Sequence, residues 1–379
     1  MAAVATRVAE SPATVLLGAR QVGKTTLAEM FCAGRDDVTW FDLETARGFE
    51  SLRAMPEKTL SEKRGLVVLD EVQRMPELFR LLRPLCDRRD APARFLLLGS
   101  ASPDLVRGVS ESLAGRAQFV QVPGLSLDEV GADGQDRLWI RGGFPPAFLA
   151  ADPSAASRWR EGFVQTFVER DVPRLGIRVP ATALRRFWSM AAHYHGQLLN
   201  LAQLGRAMGV APGTARHYLD ILCGTYVLRQ LPPWHENLGK RQVKSAKLYV
   251  RDSGLLHDFL GVSGMTDLLA HPRLGASWEG FALEQILALV GERDAYFWAT
   301  QRGAELDLLL LRRGRRYGFE FKASEAPKRT PAMRIARDDL KLDRLWVLHP
   351  AAAAPYALDA RIEARPLAQW TPALLQPPP

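Results

Sequence analysis

Gly18-Ala19-Arg20-Gln21-Val22-Gly23-Lys24-Thr25 is the stretch that decides how this chain folds. The apolar run Thr14 to Leu17 leads into it and reads as a buried strand; Thr26 to Phe31 leads out as a helix. Strand, G-x-x-x-x-G-K-T and helix make a phosphate-binding loop. The glycines let the backbone wrap closely around phosphates, while loop N–H groups and the helix N-terminus supply donors and a positive end. Lys24 is expected to reach the β- and γ-phosphates, and the Thr25 hydroxyl to ligate Mg²⁺. Gly18, Gly23, Lys24, Thr25 and Thr26 are the nucleotide-contacting candidates, with ATP and Mg²⁺ the implied cofactors.

Further apolar runs extend this reading. Val38 to Phe41, Gly65 to Leu69 and Ala93 to Leu98 alternate with helical stretches. Strands apolar throughout, separated by helices, indicate a parallel sheet covered on both faces. Asp70-Glu71 ends the third run: Asp70 is placed to hold Mg²⁺ through water, and Glu71 to polarise the attacking water. Ser100 follows the next strand, where a hydroxyl can hydrogen-bond a γ-phosphate or its attacking water. Ser102 fits that role or the cap of the next helix, since Ser102-Pro103-Asp104 is also a helix start. Arg116, in Ser112-Leu113-Ala114-Gly115-Arg116, is either a surface arginine or one that neutralises transition-state charge in its own subunit or a neighbour's.

The remaining composition sets bounds. The chain has 379 residues, enough for two or three domains. A net charge of +8 admits an anionic partner without requiring one. Cys32, Cys86 and Cys223 are too scattered for a disulfide framework or a zinc site. There is no apolar run of transmembrane length and no signal-peptide pattern, so a cytoplasmic protein with no membrane partner is expected. His193 and His195 have the wrong spacing for a metal pair on one helix face.

In the middle region, Leu199 to Val210 and Thr214 to Leu222 read as two helices joined by a Gly-containing turn, a helix-turn-helix pattern. Ala215, Tyr218, Leu219 and Leu222 form the buried stripe of the second helix, leaving Thr214, Arg216, His217 and Asp220 outward. Val227 to Leu231 would begin a β-wing, and Lys240, Arg241, Lys244 and Lys247 would form a basic cluster able to neutralise DNA phosphates. The same pattern serves equally as a lid on the ATPase or a protein-docking module. Farther on, Trp278 to Glu284 opens a helix, and Gly303–Leu311 and Tyr317–Lys322 form a hairpin. Glu320 and Lys322 share a strand face, with Asp307 beside them and Glu279 approaching from the helix. Three carboxylates and a lysine at one point would bind Mg²⁺ and assist attack on a phosphodiester. A hairpin charged for solubility has the same pattern.

G-A-R-Q-V-G-K-T, L-D-E-V-Q, G-S-A-S, S-L-A-G-R and G-G-F-P together resemble a group of bacterial and archaeal AAA-type ATP-binding proteins, over nearly the whole chain. The resemblance implies Ser100 as the sensor residue and Arg116 as the arginine finger. It implies a winged-helix segment and a terminal domain like the PD-(D/E)XK nucleases, with Glu279, Asp307, Glu320 and Lys322 at the matching positions. Members usually carry a longer N-terminal stretch with a basic helix, so this chain either lacks that element or has a misassigned start. The expected fold class is therefore α/β. A P-loop NTPase parallel sheet with helices on both faces occupies 1–123, a helical and winged-helix region 124–268, and a small α/β PD-(D/E)XK-like domain with a Pro-rich tail 269–379. Two functions remain open. One is ATP hydrolysis coupled to handling duplex or branched DNA, with cleavage in the terminal domain; its counterpart keeps the nuclease-like fold only as an inactive scaffold. The other is an ATP-dependent switch for a protein partner. A finger acting in trans would require a homo-oligomer.

Overall fold

The computed structural model describes residues 1–89, 93–99, 103–236 and 242–376. Ser100, Ser102, Lys240 and Arg241 lie outside the described residues. The chain divides into two compact units, one of Met1–Gly124 with Gly224–Tyr226 and one of Leu125–Cys223 with Val227–Pro379.

In the first unit five strands, β1 (Ala13–Leu17), β2 (Val38–Asp42), β3 (Leu66–Asp70), β4 (Arg94–Leu98) and β5 (Ala117–Gln121), form a parallel sheet in the order β2-β3-β4-β1-β5. β1 and β3 are buried along their whole length, which is why their sequences are apolar without alternation. Val15, Leu17, Val67, Leu69, Phe95 and Leu97 fill one core on one face of the sheet. Leu16, Val68 and Leu96, which alternate with them, are equally buried on the other. β5 carries no long apolar run; Gln118 and Gln121 interrupt Ala117, Phe119 and Val120, and the strand is partly exposed at the sheet edge. It was absent from the strands expected from sequence.

In the second unit, helices Ala181–His193, Leu201–Met208 and Pro212–Gly224 accompany a small antiparallel sheet of β6 (Gln197–Leu198), β7 (Leu228–Leu231) and β8 (Lys247–Val250), ordered β6-β8-β7. The Asn200 side chain accepts from Gln203 N–H to cap the second of these helices, and Gly209 closes it in the left-handed region. Ala215, Tyr218, Leu219 and Leu222 are buried, as their spacing requires.

The helix Leu274–Val290 then lies against a six-stranded sheet of β9 (Ala295–Ala299), β10 (Glu305–Arg312), β11 (Arg315–Phe321), β12 (Arg344–His349), β13 (Tyr356–Asp359) and β14 (Ile362–Pro366). Its order is β13-β14-β12-β11-β10-β9, with β9, β10 and β11 antiparallel and β12 joining β11 in parallel. The helix Pro331–Asp339 packs on the opposite face.

The middle and terminal regions share one core: Trp139 and Phe148 are buried with Trp278, Phe281, Phe319 and Trp346. The Trp139 and Trp278 rings meet edge to face at 5.0 Å. The chain passes between 268 and 269 with the two sides in a single compact unit, because the helix after that point supplies the apolar wall for both.

Candidate functional site

The phosphate loop leaves β1 at its carboxyl end, the edge where parallel sheets present ligand-binding loops. A Cβ at Gly18 would lie 2.3 Å from the Val122 carbonyl oxygen, so the backbone just after β5 packs too closely behind the loop for any other residue. Gly23 takes φ 96° and starts the helix Lys24–Cys32. The Lys24 side chain is buried and its ammonium donates to the carbonyls of Gly18 at 3.2 Å and Ala19 at 2.8 Å. Burial pulls its pKa down to about 8, against the opposing pull of Glu71 and Asp70. Thr25 and Thr26 are exposed on the first helical turn.

β3 brings Asp70 to the loop. Thr25 Oγ1 donates to Asp70 Oδ2 at 3.0 Å, and Asp70 Oδ1 accepts from Glu71 N–H at 2.9 Å. Burial raises the Asp70 carboxyl above its ordinary range, opposed by those hydrogen bonds. Glu71 adopts φ 54°, a left-handed conformation unusual outside glycine and typical of strained functional positions. Its carboxylate is held by the Gln73 amide, and burial raises its pKa as well. Gln73 closes the L-D-E-V-Q string, but the sequence alone assigns it no role; only the structure shows its amide on Glu71. Thr25 and Asp70 fit Mg²⁺, which takes one or two protein oxygens and otherwise keeps waters and phosphate oxygens.

Arg116 lies elsewhere. Its carbonyl accepts from Ala13 N–H at 3.1 Å, which puts it at the amino end of β5 and of β1. The phosphate loop is at the other end of β1, a strand of five residues, about 16 Å away at the usual rise. The guanidinium is paired with Asp87 at 2.6 and 2.8 Å. Action on its own subunit's phosphates does not fit this distance, which leaves a surface arginine paired with Asp87 or one directed at a neighbour's site.

The terminal residues do come together, with an addition. The β10–β11 register pairs Leu308 with Phe319, which sets Asp307 across from Glu320, and Asp307 Oδ2 accepts from Phe321 N–H at 2.9 Å. Lys322 Nζ bonds Glu320 Oε1 at 2.7 Å, while Glu320 Oε2 is buried without a partner. Glu279, from the helix Leu274–Val290, meets Lys247 of β8: Nζ to Oε1 is 2.8 Å, and Tyr249 donates its hydroxyl to the same oxygen at 2.6 Å. Lys247 also pairs with Glu305 and lies 3.6 Å from Asp307. Burial and then Asp307 push Glu279 up to about 7 and Glu320 up to about 8. Burial disfavours the Lys247 ammonium, but Tyr249, Glu279, Asp307 and Glu305 more than reverse this and hold it well above its ordinary range.

Lys247 was expected in a basic cluster facing DNA. It is instead 3% exposed, because β8 is buried from Lys247 to Val250 and turns it inward. Lys244 remains exposed. Among the described residues no group of three His, Cys, Asp or Glu is arranged to hold a metal ion. The expected Mg²⁺ site at Glu279, Asp307 and Glu320 therefore does not fit as arranged: a lysine ammonium stands between two of its carboxylates. No helix among the described residues is long and apolar enough to cross a membrane.

Residues 10–131 match the family described as "AAA domain". Residues 133–266 and 274–370 match two families, each described as a domain of unknown function (DUF8612 and DUF4143). The chain is 50% identical over 340 residues to "Uncharacterized protein Rv2008c" of Mycobacterium tuberculosis and to "Uncharacterized protein Mb2031c" of Mycobacterium bovis, covering 90% of this chain and 77% of each relative. A solved Walker-type ATPase of Pyrococcus abyssi aligns at TM-score 0.48 and 16% identity, over 68% of this chain and 93% of that one, a likeness too distant to carry argument. The AAA domain, with its complete phosphate loop, makes the N-terminal unit a P-loop ATPase.

Proposed function

This chain belongs to the family of these mycobacterial proteins, and from that premise we propose that it is an Mg²⁺-dependent ATP-hydrolysing switch whose C-terminal half engages a partner according to nucleotide state. The observation that carries the ATP reading is the 3.0 Å contact between Thr25 and Asp70, which joins the two halves of a nucleotide site from separate strands. When bound, Mg²⁺ would bridge phosphate oxygens and neutralise developing charge, held by Thr25 and, directly or through water, by Asp70. Lys24 would exchange its carbonyl partners for phosphate. Glu71 would orient and accept a proton from the attacking water once its carboxylate leaves the Gln73 amide.

The protein-partner reading is favoured over DNA handling by the burial of Lys247, which withdraws a cation from the expected phosphate-neutralising cluster and fills the acidic site of the nuclease-like domain. The DNA reading keeps support from the helix-turn-helix with its three-stranded sheet, which suits a winged helix, and from the D…E-x-K hairpin. Turnover and binding assays separate these readings. Lys24→Ala is expected to abolish nucleotide binding or turnover. Glu71→Gln is expected to keep binding and lower turnover about 10²–10⁴-fold, the usual worth of a general base; equal turnover in wild type and Glu71→Gln removes Glu71 from its role. Salt-dependent, ATP-responsive binding to duplex or branched DNA, or cleavage in Mg²⁺ or Mn²⁺ that is lost in Asp307→Ala and Glu320→Ala, would reinstate the DNA reading.

A further inference from the structure

The acidic cluster of the terminal domain is closed by a residue from outside that domain's own fold. Glu279 comes from the helix Leu274–Val290, Glu305 and Asp307 from β10, and Glu320 from β11. Their cation comes from β8, the strand between β6 and β7 in the small sheet of the middle region. Lys247 Nζ meets three of the four carboxylates, at 2.8 Å from Glu279, 3.6 Å from Asp307 and in contact with Glu305. Tyr249, two residues on and on the same side of β8, adds its hydroxyl to Glu279 at 2.6 Å. The side chains of Lys247 and Glu279 are 4% and 16% exposed, so neither can shed its charge into water.

We propose that Lys247 is the resident cation of this cluster, latching β8 to the terminal domain in the place where a divalent ion would otherwise bind. Three largely buried carboxylates, Glu279, Asp307 and Glu320, with the half-exposed Glu305 beside them, favour a cation in their midst. Lys322 pairs directly with Glu320, at 2.7 Å, with its own side chain partly exposed, and reaches Asp307 and Glu279 only through longer-range attraction. Lys247 makes the direct contacts to the other three. An ammonium 2.8 Å from Glu279 also excludes a metal sterically and by repulsion, since Mg²⁺ sits 2.0–2.1 Å from its oxygen ligands. The divalent-ion site and the latch are therefore mutually exclusive: an ion can take these carboxylates only when the Lys247 ammonium has left them.

The test uses the full chain without nucleotide and Mn²⁺ as the probe, counting bound ion by electron paramagnetic resonance. The wild type is expected to show no Asp307-dependent Mn²⁺ binding. Lys247→Met is expected to bind one Mn²⁺ at least about tenfold more tightly than wild type, and to lose it again in Lys247→Met/Asp307→Asn. Lys247→Met leaves buried carboxylates uncompensated and is expected to lower Tm, with Mn²⁺ restoring it. The double variant Lys247→Met/Glu279→Gln removes one charge of each sign and is expected to melt closer to wild type without metal. Stoichiometric Mn²⁺ binding by wild type that disappears in Asp307→Asn overturns the proposal, even if Lys247→Met does not fold. So does Lys247→Met that folds and binds no Mn²⁺. ATP turnover is read separately in each variant, so a failed latch and a failed ATPase reading are told apart.

Discussion

On the proposed ATP reading, nucleotide affinity turns on the Lys24 ammonium, and its setting would make that affinity pH-dependent. It is buried on the carbonyls of Gly18 and Ala19, and burial brings its pKa down to about 8. A bound phosphate would hold the proton more firmly, so the pKa rises on binding. A group with a higher pKa in the bound state favours binding fully below the free pKa and loses that contribution as pH climbs through it. ATP affinity is therefore expected to be level below pH 8 and to weaken by up to about tenfold per pH unit above it. Equilibrium titration with a fluorescent ATP analogue from pH 6.5 to 9.5 checks this; a flat profile would mean that Lys24 keeps its proton throughout. This residue was legible from sequence because the loop is contiguous and its chemistry depends on backbone geometry that only G-x-x-x-x-G-K-T provides. Lys247 was not. In sequence it closes a basic run with Lys240, Arg241 and Lys244, and only the two-residue period of β8, with both faces buried, reveals that it points inward.

At the scale of elements, the packing of the helix Leu274–Val290 sets the fit of the second unit. Gly280 faces His195, and a Cβ there would lie 2.1 Å from His195 Nε2. Val250 N–H donates to His195 Nδ1 at 3.0 Å, which leaves Nε2 to donate to the Ala276 carbonyl at 3.1 Å. His257 takes the other tautomer: Nδ1 donates to the Ile140 carbonyl, and Nε2 accepts from the Ser277 hydroxyl, which in turn accepts from Trp139. Burial pulls His195 down to about 3 and His257 to about 4. Long-range ¹H–¹⁵N spectra are expected to show both rings neutral at pH 5.5, as opposite tautomers. A protonated His195 at that pH would contradict the packing. Gly280→Ala is expected to destabilise the unit by about 1–3 kcal/mol through overpacking, read as a lower midpoint in urea with an unchanged slope. Sequence periodicity marked this helix and the β10–β11 hairpin. It missed β5, whose apolar residues are interrupted by Gln118 and Gln121 on a partly exposed edge and so never form a long apolar run. It also could not show that Trp139 and Phe148 share a core with Trp278 and Trp346, because contacts across such separations leave no local pattern.

For the molecule as a whole, the position of Arg116 bears on assembly. In its own subunit it sits at the amino end of the sheet, about 16 Å from the loop by strand rise, paired with Asp87 at the surface. A role in hydrolysis is then possible only toward a neighbour's nucleotide, through a head-to-tail contact in which one subunit offers Arg116 and the next offers its phosphate loop. An arginine supplied in this way acts on charge that develops in the transition state, and in small GTPases is worth about 10³–10⁵ in rate. Arg116→Ala is thus expected to leave ATP affinity nearly unchanged while turnover falls steeply. Wild-type turnover is expected to rise faster than linearly with protein concentration until assembly is complete. The decisive measurement mixes two inactive variants. Arg116→Ala has an intact loop and lacks the arginine; Lys24→Ala keeps the arginine and lacks the loop lysine. At a head-to-tail contact a Lys24→Ala subunit can serve the site of an Arg116→Ala neighbour, so the mixture is expected to regain part of the lost turnover that neither shows alone. Linear wild-type kinetics with no recovery in the mixture would leave Arg116 as a surface partner of Asp87 and remove the requirement for a neighbour.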